Sequence, residues 1–270
     1  MILEKTVDLV KNVYQVHKII PPKIVKVVLG LGYTCVEVFA YAYKTFLGLA
    51  STLPNVISNT DCSKINFAGE LTNYSLNELL SWAFEVPNLK KIIGIATLNA
   101  VSQHILRVMN PYQKVENDFL NFLNIDKNTA VTFIGLIKPL IRECSKISKN
   151  ITIIEDSIAI ASEFKKFKNK NNLNQLEEDE FQTDVLFCTG SALINNTLES
   201  ILEKFRRRAQ KIILIGPTAS LIPDILFDYG VDIVSGMEII DSSATIKVVQ
   251  EGGGTKLFKK YGKKYNLIND

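Results

Sequence analysis

The chain has 270 residues, 47% of them hydrophobic, which is enough for one large or two ordinary domains with packed cores. Its 31 basic and 28 acidic residues leave a net charge of +3, too even for the electrostatic footprint of a nucleic-acid-binding protein. Four scattered cysteines, with His17 and His104 the only histidines, offer neither a disulfide framework nor a zinc-type cluster, so reduced thiols and a cytoplasmic setting are expected.

The first residues, Met1 to Lys5, lack the basic, apolar, small order of a signal peptide, and Lys44 interrupts the apolar stretch from Phe39 to Leu53. No membrane span is expected. Apolar residues at helical spacing predict a helix from Ile2 to Ile19, stopped by Pro21-Pro22. The β-branched and aromatic runs 24–31, 34–42 and 45–50 then predict an antiparallel meander.

A polar loop from Asn55 to Thr72, carrying Asp61, Cys62 and Ser63, leads to Ser75 and Glu78, which have capping-box spacing for a helix from Leu76 to Phe84. A longer helix follows from Leu89 to Met109, closed by Asn110-Pro111. Its small residues Gly94, Ala96 and Ala100 would let it approach another backbone closely. A short amphipathic helix is expected over residues 116–123, and the polar connection after it sets the boundary between domains 1–126 and 127–270.

Past that boundary, short apolar runs alternate with helical patterns: 130–134, 151–154, 184–188, 211–215 and 231–234. Such interleaving predicts an α/β domain, a Rossmann-like parallel sheet with helices on both faces. The segment from Lys165 to Glu180, a lysine run followed by asparagines and acids, reads as a solvated helix end and loop.

Ligands bind such sheets at the carboxyl ends of their strands. Here those ends supply Gly135, Glu155 with Asp156, Thr189-Gly190-Ser191, Gly216-Pro217-Thr218 and Ser235-Gly236. Thr189, Ser191, Asn195, Thr197 and Thr218 are neutral donors and acceptors, and the glycines admit a ligand to the backbone. The stretch from Asp184 to Thr197, an apolar run breaking at Gly190 into a polar turn and a helix, is the centre of this set.

Glu155 follows Gly135 by the spacing at which dinucleotide-binding folds place a carboxylate on ribose hydroxyls. The loop Gly135-Leu136-Ile137-Lys138-Pro139 has one glycine, which argues against NAD. Glu155 can instead be read as a general acid or base, a metal ligand, or a helix cap. Cys188, inside a strand, and His104, inside a helix, read as core residues. No protein-built metal site is expected, while a metal carried by an organic ligand stays open. The basic groups 206–208 and 259–264 read as solvated faces.

The turns 189–197, 215–218, 235–236 and 251–254, with Gly48-Leu49-Ala50 and Asn99-Ala100-Val101-Ser102-Gln103 in the first half, resemble the putative heavy-metal chelation family. That resemblance implies a small α+β domain like the N-terminal domain of enolase, a Rossmann-like domain after it, and a site between them. Matched residue by residue, the site would draw on Thr189, Gly190, Ser191, Asn195, Gly216, Pro217, Thr218, Glu155, Asn99 and Gln103. Asn196 stands where a glycine is expected.

The leading expectation is a cytoplasmic protein that binds a small polar or anionic ligand, such as a metal chelate or a nucleotide-like molecule, between its domains. The first alternative is an enzyme at the same cleft with Glu155 as general acid or base; the second is a non-catalytic interaction protein. The expected partner is a small molecule, without nucleic acid or membrane, and a homodimer is the default oligomer.

Overall fold

The computed structural model describes residues 1–41, 43–57, 65–109, 112, 114–115, 119–156 and 162–269. The loop around Asp61 to Ser63, the Asn110-Pro111 helix stop and the start of the helix expected at residue 116 lie outside them.

Helix α1 (Ile2–Val16) buries Ile2, Leu3, Thr6, Val7, Val10 and Tyr14 along one stripe. It stops short of Ile19 because Lys18 turns left-handed at φ 53°, and the N–H of Ile19 returns to the carbonyl of Tyr14. Strands β1 (Lys23–Leu29), β2 (Tyr33–Ala40) and β3 (Tyr43–Ser51) form the expected antiparallel meander in that order. After α2 (Pro54–Ile57), helix α3 (Leu76–Ser81) opens on the capping box: Glu78 N–H donates to Ser75 Oγ at 3.2 Å, and Ser75 N–H donates to Glu78 Oε2 at 2.8 Å. A 3₁₀ turn, Trp82–Phe84, ends that segment.

Helix α4 (Leu89–Met109) is the spine of the first half, and every residue from Lys91 through Leu106 is buried. It is one helix long and apolar enough to cross a membrane, but 83% of its apolar window lies inside the fold. Its apolarity is that of a core helix. Strand β3 meets it backbone to backbone, since a Cβ at Gly48 would sit 2.0 Å from the carbonyl oxygen of Ala96 and 2.3 Å from the nitrogen of Ala100. On another side, a Cβ at Gly94 would sit 2.1 Å from the nitrogen of Ala83. The small residues of α4 do permit close approach.

The second half is a sheet of eight strands in the order β4-β11-β10-β9-β8-β5-β6-β7. Its members are β4 (Lys114–Val115), β5 (Val131–Ile134), β6 (Ile151–Ile154), β7 (Lys168–Lys170), β8 (Thr183–Thr189), β9 (Ala209–Ile215), β10 (Ile233–Ile239) and β11 (Gly262–Ile268). Strands β5 through β10 pair in parallel, whereas β11 runs antiparallel to both β10 and β4. The connecting helices are α5 (Phe119–Phe122), α6 (Lys138–Ile147), α7 (Ser191–Ile194), α8 (Leu198–Phe205), α9 (Asp224–Asp228), α10 (Ser242–Gln250) and α11 (Thr255–Phe258).

Alternation along β8 explains the layers. Val185 and Phe187 join Phe133, Ile141 and Cys144 on the face covered by α6, while Leu186 and Cys188 join Leu198, Leu202 and Phe205 of α8 on the other. The α8 face continues without a break into α1 and α4, so the two halves share one hydrophobic core.

Two expectations need correction. Ser235 and Gly236 lie inside β10, because pairing with β11 carries the strand to Ile239 after the parallel pairing with β9 ends at Ser235. The Lys165 to Glu180 segment is anchored: it contributes β7, and Glu180 pairs with Lys168 and, at 3.0 Å, with Lys170. The basic group 259–264 is solvated as expected, with Lys259, Lys260, Lys263 and Lys264 exposed, and its last residues open strand β11, whose Tyr265, Asn266 and Leu267 are buried. Strand β4 also joins the large sheet from ahead of residue 126.

Two consequences are measurable. Gly48→Ala should cost about 3 kcal/mol in urea unfolding, the upper end for overpacking, because neither backbone in the contact can yield; an unchanged midpoint would refute the close approach. His104 is buried against Tyr14, whose hydroxyl lies 3.0 Å from Nδ1, and burial holds its pKa below the ordinary histidine value. Below about pH 6.5 the unfolded chain takes up a proton that the folded one resists, so stability should fall as pH drops through that region. His104→Gln should flatten that part of the pH profile.

Candidate functional site

The chain leaves β5 towards β6 and β7 on one side of the sheet and returns to build β8, β9 and β10 on the other. The point of reversal lies between β5 and β8, where a ligand crevice is expected outside the carboxyl ends of the strands. A cleft of about 1510 Å³ opens there. Tyr33, Leu53, Pro54 and Asn55 of the first half face it, and the Thr255 hydroxyl bridges the halves by donating to Tyr33 Oη at 2.8 Å.

Gly135 and Thr189 meet at the reversal point. Gly135 takes φ +93°, and a Cβ there would come within 2.6 Å of Thr189 Cγ2, so both conformation and space select glycine. Past Thr189 the chain makes one turn of helix, α7, and closes it with the N–H of Thr197 on the carbonyl of Ala192 at 3.0 Å. Asn196 occupies the left-handed position of that closure at φ 57°. Asparagine is the side chain best suited to replace glycine there, which accounts for its presence. Thr189, Ser191, Asn195 and Thr197 all line the cleft.

Glu155, at the end of β6, also lines the cleft, and its Oε2 accepts the N–H of Leu136 at 2.7 Å. The carboxylate therefore fixes the loop after β5 as well as facing the ligand space. The next two amides of that loop are spent locally: Ile137 N–H donates to the Gly135 carbonyl at 3.0 Å and Lys138 N–H to the Leu136 carbonyl at 2.9 Å. These are consecutive γ-type turns, with Ile137 at φ −81°, ψ 66°.

Gly216 and Pro217 line the cleft beside Gly236. A Cβ at Gly236 would sit 2.4 Å from Tyr265 Oη, so that ring lies directly behind the cleft floor.

Four of the expected site residues do not line the cleft. Gly190 is buried under the turn 217–219, where a Cβ would come within 2.7 Å of the nitrogen of Ala219. Thr218 points away, its Oγ1 accepting the N–H of Ser51 at 3.0 Å. Asn99 Nδ2 donates to the carbonyls of Leu49 at 2.7 Å and Thr218 at 3.0 Å. Gln103 Nε2 donates to the Ser220 carbonyl at 2.9 Å and to Tyr265 Oη at 2.8 Å. Both amides are buried and hold the 217–220 turn, so they position the cleft from behind.

The cleft also contains residues that sequence reasoning missed. Asn171 and Asn174 follow β7, within the segment read as solvated, and Lys264 and Asn266 alternate along β11. Period-two spacing was the available signal for the last pair, but the surrounding lysines hid the strand. Lys138 and Glu143 of α6 complete the charged lining.

Fold and cleft together define a two-part α/β protein with a Rossmann-like sheet and a ligand-sized crevice at its switch point. The chain belongs to the family described as "Putative heavy-metal chelation": one family model of that description matches residues 118–268 and a second matches residues 16–102. It is similar to an uncharacterized protein of Methanocaldococcus jannaschii, 25% identical over 203 residues that make up 72% of each chain. A crystal structure of a protein of unknown function from Pyrococcus horikoshii has the same fold, with TM-score 0.79, 21% identity and full coverage of both chains. So does one from Desulfitobacterium hafniense DCB-2, with TM-score 0.72 and 18% identity, covering 96% of this chain and 98% of that one.

The donors among the described residues do not fit a protein-built heavy-metal centre. Heavy and borderline metals select thiolate and imidazole. Among the described residues no three His, Cys, Asp or Glu side chains converge, and the cleft offers only the carboxylates Glu143, Glu155 and Asp156. Cys35, Cys144 and Cys188 are buried elsewhere, and burial pushes each thiol up to about 12.

Asn99→Leu leaves the buried carbonyls of Leu49 and Thr218 without their donor, and should cost about 2 kcal/mol of stability. Hydrogen exchange should also quicken at Ala219 and Leu221, in the turn Asn99 holds. Loss of stability without faster exchange there would detach Asn99 from the turn.

Proposed function

We propose that this protein binds a small polar organic ligand in the cleft between its halves, within a cytoplasmic setting. The observation that carries the reading is the convergence of Gly135, Glu155, Thr189, Ser191, Asn195, Gly216 and Gly236 on one crevice at the switch point. Hydroxyl and amide groups alternate there with aliphatic walls, the composition of a site that orients a ligand by a few directional bonds.

Charge supports a polar ligand over a polyanion. Lys138 and Lys264 line the cleft together with Glu143, Glu155 and Asp156, so the charged lining has no basic excess. α7, at four residues, is too short to lend a helix dipole to an anion. Any metal handled at this site would arrive bound to donors of the organic ligand, which would reconcile the family description with a cleft free of described thiolates and imidazoles.

The test starts from the protein as purified, with native mass spectrometry and metal analysis to identify bound molecules. Thr189→Val and Glu155→Gln should each weaken retention of that molecule about tenfold, as expected for loss of one hydrogen bond to a polar or charged group. Retention unchanged in both variants would defeat the proposal.

A further inference from the structure

The cleft specifies more than polarity. Numbered from the switch point, β5, β6 and β7 are the first, second and third strands of a dinucleotide-binding half, with β8, β9 and β10 on the other side. Glu155 ends the second strand and lines the cleft beside the first-strand loop. In this geometry a carboxylate is placed to accept from the two hydroxyls of a ribose.

The first backbone amides of the same loop are already taken and cannot cradle a diphosphate. Leu136 N–H is held by Glu155, Ile137 N–H by the Gly135 carbonyl and Lys138 N–H by the Leu136 carbonyl, while Pro139 has no N–H. A diphosphate needs several free amides at this place. In the facing turn Gly190 N–H donates to the Ile215 carbonyl, Gly216 N–H to the Ser235 carbonyl and Pro217 has none, while Ser191 N–H turns to the Thr189 hydroxyl at 3.4 Å. Past Glu155 the cleft is lined by Leu136, Leu173, Asn171 and Asn174. Aliphatic surfaces can flank a heterocycle, and asparagine amides match the donor-acceptor edges of a base.

We infer that the cleft takes a ribonucleoside without a diphosphate, its vicinal ribose hydroxyls donating to Glu155 and its base lying towards Leu173 and the asparagines after β7. This rests on the reading of the cleft as a ligand site.

The experiment is isothermal titration of the full chain with adenosine, guanosine, cytidine and uridine, their 2′-deoxy forms and their 5′-diphosphates. At least one ribonucleoside should bind, its 2′-deoxy form about tenfold more weakly, and its diphosphate no better than the nucleoside. Glu155→Gln keeps an oxygen for the Leu136 N–H, so the loop should survive; its melting curve checks this. That variant should bind the ribonucleoside about tenfold more weakly and no longer distinguish it from the deoxy form.

Equal binding of ribo and deoxy forms, or a diphosphate that binds at least tenfold tighter, overturns the inference. If no nucleoside binds but the purified protein carries another molecule lost in Thr189→Val, the inference falls and the ligand cleft stands. If no nucleoside binds and no molecule is retained, both fall.

Discussion

The structure depends on how closely α4 approaches its neighbours. Gly48 lets β3 touch the helix backbone at Ala96 and Ala100, and that proximity brings the Leu49 carbonyl within 2.7 Å of Asn99 Nδ2. The same amide reaches across to Thr218, and Gln103, one turn further, reaches Ser220 and Tyr265. A helix of the first half thereby sets the turn that follows β9 in the second. With side chains at Gly48 or Ala100 too large for this contact, α4 would stand off and the 217–220 turn would lose its donors. Because such donors are buried, their loss would be felt at nearly full desolvation cost.

A second backbone contact closes the other side. A Cβ at Gly30 would come within 2.4 Å of the Val249 carbonyl, and Gly32 lies against Gly253. With the shared core and the Thr255 to Tyr33 bond, the halves are joined on both flanks of the cleft. The cleft is thus a gap between surfaces already fixed to one another, and its polar groups are held in place before a ligand arrives. Preorganisation of that kind lowers the ordering cost of binding.

The fold was legible where side-chain pattern and backbone demand coincide. Ser75 and Glu78 announce a capped helix, the β-branched runs announce the meander, and the small residues of α4 announce a close contact. Strand-end residues such as Thr189, Ser191 and Gly216 could be placed at the cleft because parallel strands end together. Legibility failed where direction depends on a partner distant in sequence. Thr218 turns from the cleft because Ser51 offers a donor, and Asn99 faces carbonyls more than a hundred residues away. No local pattern encodes such pairings. Strand β11 was hidden because its lysines suit a solvated surface while its pairing with β10 depends on residues far upstream.

The position of Glu155 gives it two tasks that reinforce each other. Its bond to Leu136 N–H removes one phosphate donor from the loop, and the γ-turns remove the next two, so a single carboxylate both shapes the loop and keeps its backbone from forming an anion nest. It shares the crevice with hydroxyl and amide side chains, and its charge would strengthen hydrogen bonds from any ligand that donates to it. The described thiols are held in the core, where burial raises their pKa and each packs as a small apolar side chain. Soft-metal donors are therefore not supplied by Cys35, Cys144 and Cys188, which face the packed interior and not the cleft.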